Sequence, residues 1–278
     1  ITALLAANST VVASASAVST TTTSMTAANA NALYDKFGAS VVDGNSVKVV
    51  DSVVNLLAMN ASVIAHFSSS ELVAGETATV DQAVSLEAKL ANKIDGIKIV
   101  DSAANLVSGV ELEFGAMNAA DTVVIAGDAT VGQVEHINTL GEAVAFGYTL
   151  KDSAANLAAG TASAVVSSSS SVVVTGTASV TDVDTIAGYF GAPTLGTDII
   201  YSLNDSASTL ITAPATTAGA TSFSITDASL TGADAATLVA LTNFDDVYSI
   251  DDDYANVIGA ADAVLDGAAS VTITDTVA

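Results

Sequence analysis

The chain has no cysteine, which excludes disulfides, thiolate metal sites and a cysteine nucleophile. It has no arginine either. Its six basic residues are all lysines, set against 30 acids, and the formal net charge is -24. Bidentate phosphate recognition therefore has no residue to carry it, and nucleic acid is not an expected partner. Aromatic residues make up 5% of the chain and charged residues 13%, the latter about half the usual share. No run of about 18 uninterrupted apolar residues occurs, so no membrane insertion is expected. The run from Ile1 to Ala7 is too short for a signal peptide and lacks its basic flank. Because the chain opens with Ile1, it reads as processed, truncated or partial.

What the chain does have is a period. Half of its 278 residues are apolar, chiefly Ala, Val, Leu and Ile, which suits narrow, regular packing. The stretch Tyr148-Thr-Leu-Lys-Asp-Ser-Ala-Ala-Asn-Leu157 alternates apolar residues up to Asp152 and then becomes alanine-rich. Alternation predicts a strand. Asp152 then stands where a helix N-cap belongs. Relatives of this stretch begin at Val47, Ile97, Tyr201 and Tyr248. Between them lie frames of the same apolar-x-apolar-x-acid form at Leu72, Val124, Phe223 and Val271, and one at Val172 that ends in Gly176 instead. The ten frames are spaced 22 to 29 residues apart, and nine of them end in an acid. A repeat of this length indicates a solenoid.

Two kinds of segment alternate after the frames. Those at 47, 97, 148, 201 and 248 lead into the short Ala/Asn run. Those at 72, 124, 172 and 223 lead into longer helical patterns: Thr79-Val-Asp-Gln82 and Thr231-Gly-Ala-Asp234 resemble capping boxes, and Thr130 to Leu140 and Thr181 to Phe190 read as helices, as does Thr26 to Phe37, capped by Thr26, ahead of the first frame. Successive strands joined by helices should be parallel, with right-handed crossovers. The expected fold is thus a repeat solenoid with a strand and a helix per coil of about 25 residues. Residues 1–46 are an atypical N-terminal region with a strand near Val18 to Thr23, and residues 47–278 are a continuous solenoid of about ten coils. An all-β helix is the alternative. The tail Asp275-Thr-Val-Ala278, read on into Ile1-Thr-Ala-Leu-Leu-Ala-Ala7, resembles one Asp-Ser-Ala-Ala-Asn-Leu unit, so the chain reads as cut within a coil.

The acids are the candidate chemistry. Asp51, Glu76, Asp101, Asp128, Asp152, Asp205, Asp227, Asp252 and Asp275 share the inward strand face. Stacked in register they would lie roughly 5 Å apart. The favoured expectation is that each accepts N–H bonds at the start of the following helix; calcium bridging is the competing one. The densest cluster, Asp245, Asp246, Asp251, Asp252 and Asp253, is the metal candidate, since carboxylates suit a hard cation such as calcium. It lacks a ligand loop of known spacing, so a solvated acidic patch is favoured. Asn55, Asn105, Asn156 and Asn256 are expected to form a ladder between layers. His66 and His136 fit no metal motif. No nucleophile elbow or phosphate loop occurs, so no catalytic residue, no cofactor and no enzymatic activity are expected.

The Asp-Ser-Ala-Ala-Asn-Leu repeats with Thr/Ser/Ala/Val-rich spacers resemble those of large repetitive bacterial surface and secreted proteins, adhesin-like or S-layer-like. The likeness covers most of residues 40–278. It implies an extracellular, cell-surface structural or adhesive role and carries over no catalytic residue. The expected function is a filament, sheath or surface-layer subunit whose partners are copies of itself. A stalk or binding region of a large secreted adhesin is the alternative, with surface glycans as a further partner class. A polysaccharide-active solenoid is third.

Overall fold

The computed structural model describes residues 2–6, 22–38, 44–90, 93–111, 120–139, 147–244 and 246–275. The fold is α/β with parallel sheets. The chain divides into two compact units, Ile1–Gly127 with Gln133–Ala145, and Asp128–Gly132 with Phe146–Ala278.

In the first unit, β1 (Ser24–Met25), β2 (Gly44–Asp51), β3 (Phe67–Leu72) and β4 (Ile94–Asp95) form a sheet in chain order, and β5 (Ile97–Asp101) pairs with β6 (Ala120–Ile125). In the second, β7 (Asp128–Ala129), β8 (Thr149–Ser153), β9 (Ser171–Ala178), β10 (Ile199–Asp205) and β11 (Phe223–Ile225) form a five-stranded sheet, and β12 (Ser249–Asp252) pairs with β13 (Ser270–Ile273). Every pairing of these strands is parallel. Parallel neighbours need a crossover, and helices supply it, among them Ala27–Phe37, Val80–Leu90, Val180–Phe190 and Gly232–Val239. These helices exclude the all-β alternative.

One register recurs five times. Val49 lies between Met25 and Ser70, Ile99 between Ala78 and Val123, and Leu150 between Ala129 and Val172. Leu203 lies between Ala178 and Phe223, and Ile250 between Leu230 and Val271. All five central residues are fully buried. So is the leucine of each short run at 56, 106, 157 and 210, with Val257 in its place in the last. The long helices each bury the residue six positions after their start: Leu33, Leu86, Ile137, Ile186 and Leu238. Of the first and third residues of the frames at 47, 97, 148, 201, 223 and 248, which alternation places on the inward face, Ile225 alone is only half-buried; Val47, Val49, Ile97, Ile99, Tyr148, Leu150, Tyr201, Leu203, Phe223, Tyr248 and Ile250 are buried.

Two frames are corrected. The strands expected at Leu72 and Val124 lie mostly upstream, at Phe67–Leu72 and Ala120–Ile125. The chain then turns a corner at Gly75 and Gly127, both at φ 86°, a conformation that a residue with a Cβ adopts at a cost. Pairing resumes beyond the corner at Ala78 and Asp128–Ala129. The strand expected near Val18 lies largely outside the described residues; Ser24–Met25 is what they contain.

Gly232 opens its helix where the other long helices have Ala27, Val80, Val131 or Val180. The result is an open groove of about 460 Å³ lined by Ala233, Ala236, Ala255 and Gly259. A Cβ on Gly232 would sit 3.6 Å from the Ala260 Cβ and 3.7 Å from Asp252 Oδ2, both ordinary contacts. Gly232→Ala is therefore expected to stabilise the second unit by about 0.5–1 kcal/mol. A lowered thermal midpoint would show that the groove has no room.

Candidate functional site

The repeated feature with the most specific geometry is a ladder of carboxylates. Asp51 closes β2. Its Oδ1 accepts the Ser52 N–H at 2.8 Å and the Asn55 side-chain amide at 2.7 Å. Its Oδ2 accepts the Ala27 N–H at 2.9 Å, the first amide of the helix 24 residues earlier. Asp101 repeats this with Ser102, Asn105 and Val80, and Asp152 with Ser153, Asn156 and Val131. Asp252 does so with Asp253, Asn256 and Gly232. Asp205 holds Ser206 and Val180 in the same way, with Thr209 where the asparagine would stand. Between these, Glu76 accepts the Val53 N–H, Asp227 the Ala207 N–H and Asp275 the Tyr254 N–H. Among the described residues, then, a carboxylate grips a helix start belonging to the preceding strand–helix unit in eight places. First-turn amides have no partner within the helix, and the positive end of the helix dipole favours an anion there.

This amends the expected capping. The residue after the acid is the N-cap of the following helix: Ser52, Ser153, Ser206 and Asp253 each accept the N3 amide. Of the following helix's backbone the acid meets only that residue's N–H, and its second oxygen goes to the helix behind. The asparagine ladder is overturned for the same reason, because Asn55, Asn105, Asn156 and Asn256 each donate to the aspartate four residues earlier, within their own unit. The capping boxes expected at Thr79 and found at Ser179 are both present. Thr26 is an N-cap as expected; Thr231 is an N-cap that accepts the Asp234 N–H, without the return bond of the capping box expected there.

These bonds set the acidity. Burial pushes the Asp51 carboxyl up, but the Asn55 amide and the Ser52 and Ala27 N–H groups outweigh it and hold it below the usual aspartate value. The Asn256 amide, followed by the Gly232 and Asp253 N–H groups, does the same for Asp252.

Two further repeated contacts were not foreseen. In three long helices the residue nine positions after the start reaches the C-terminal carbonyls of the preceding short helix. Lys36 reaches the Leu5 carbonyl, Lys89 that of Leu57, and Tyr189 that of Ala158 at 3.2 Å. A cation there complements the negative end of a helix. The signal was present as a lysine in the last turn of both helices. In the second unit, Tyr148, Tyr201 and Tyr248 donate their hydroxyls to the carbonyls of Val165, Thr216 and Val264 at 3.0, 2.6 and 2.7 Å. Burial raises all three phenols. Tyr201, facing Asp184 as well, is pushed up to about 12. The Tyr248 hydroxyl occupies the space a Cβ on Gly267 would need, at 2.7 Å.

The proposed metal cluster is dispersed into separate tasks. Asp246 accepts the Ile225 and Val247 N–H groups, Asp252 belongs to the ladder, Asp253 is an N-cap, and Asp251 points to solvent on β12. Asp245 lies outside the described residues. Among the described residues no three His, Cys, Asp or Glu side chains converge as metal ligands. Asp128 is paired with Lys151 at 3.3 Å. His66 packs against the Tyr34 ring at 5.6 Å, while His136 Nε2 and Glu87 Oε2 are buried without a hydrogen bond. Because the oxygens of Asp252 and Asp246 already accept N–H groups, chelator treatment is expected to leave the melting midpoint unchanged. A drop on adding EDTA, restored by calcium, would reinstate a cation at Asp246 to Asp253.

No helix among the described residues is long and apolar enough to cross a membrane. No protein-family model, curated protein or solved structure matches the chain.

Proposed function

We propose that this chain is a structural subunit of an extracellular bacterial filament, sheath or surface layer. In this reading the strand–helix units are coils of a right-handed solenoid, and copies of the chain join end to end. The observation that carries it is the use of the carboxylates. Eight of them hold one unit to the next, an investment in mechanical continuity rather than in a reaction centre. Repeat architectures derive their stability from such nearest-neighbour contacts.

The joining surface is β13. It pairs with β12, and its Val271 and Ile273 are 41% and 44% exposed. An exposed strand of this composition is a template for another strand, and a contact between unlike surfaces of identical chains need not close, so it builds fibres. Electron microscopy of the purified protein should show filaments. The double variant Val271→Lys/Ile273→Lys, made at exposed positions, should fold with an unchanged melting curve and form none. Fibres of normal length from that variant would overturn the end-to-end contact.

The second reading is a stalk or binding region of a large secreted adhesin, supported by the same repeat. It predicts a native gene product many times longer than 278 residues and isolated particles on the grid.

A further inference from the structure

We draw no further inference here: the strongest candidate, the groove between the helices Gly232–Val239 and Tyr254–Gly259, is a stripe of glycine and alanine whose Asp252 already accepts the Asn256 side-chain amide and the Gly232 N–H, and nothing else among the described residues there points to a ligand.

Discussion

Replacing Leu150 with Asp is expected to abolish the cooperative unfolding transition of the second unit. Leu150 is fully buried on β8, between Ala129 and Val172 on its neighbours. The apolar layer around it offers a carboxylate no partner. An unpaired charge in such a place costs at least several kcal/mol, comparable to the roughly 5–15 kcal/mol that holds a domain together. Lys151 is the next residue along the strand. Its side chain is half-exposed and pairs with the similarly exposed Asp128, so Lys151→Ala should stay within about 0.5 kcal/mol of the parent. Circular dichroism melts of both variants give the comparison. Equal losses from the two would mean that the alternation of faces along β8 is wrong.

The second large effect is expected from Asp51→Ala. Among the ladder acids Asp51 is the most deeply placed, at 8% exposure. Its removal strands the amides of Ala27 and Ser52 and the side chain of Asn55. A buried donor left without an acceptor costs about 1–3 kcal/mol. Water reaches some of these groups, so the total expected is about 2–4 kcal/mol. Asp51→Asn, which keeps one accepting oxygen, should fall between the variant and the parent. The depressed carboxyl makes this contribution depend on pH. A group whose folded pKa lies below its unfolded value of about 3.9 stabilises the fold above that value and loses the contribution as pH falls through the folded one. The gap between the parent and Asp51→Ala should therefore be full at about pH 6 and narrow below about pH 4. A gap that does not change with pH would show that the charge of Asp51 contributes nothing.

The period, the inward strand residues and the long helices were legible because each rests on local chemistry. Val47 and Val49 stand on either side of Lys48, and Thr26, Thr79 and Thr231 bring a capping hydroxyl to the head of each helical pattern. The reach of the acids was not legible. An aspartate at a strand end followed by Ser-Ala-Ala looks locally like an N-cap, and the serine one residue later competes for that place and takes it. The true partner of Asp51 Oδ2 lies 24 residues back, a distance that no local pattern spans. The frames at Leu72 and Val124 misled for a different reason. Their Val-Ala-Gly and Ile-Ala-Gly ends mimic alternation, yet a glycine in a strand pattern marks a turn or bulge. The cluster from Asp246 to Asp253 is dense in sequence because three separate tasks fall within eight residues: Asp246 holds the Ile225 strand amide, Asp252 a helix start behind it, and Asp253 caps the helix ahead. Its carboxylates are neighbours along the chain, yet they point to different helices and strands.

The backward reach of the ladder gives the chain a direction. Each grip lies 20 to 25 residues after the amide it holds. Each of these helix starts is thus satisfied only when the next strand has been synthesised. Completion runs from the N-terminus to the C-terminus, the order in which a ribosome delivers residues. Of the eight gripped helix starts, the newest is always the one with its amide still open.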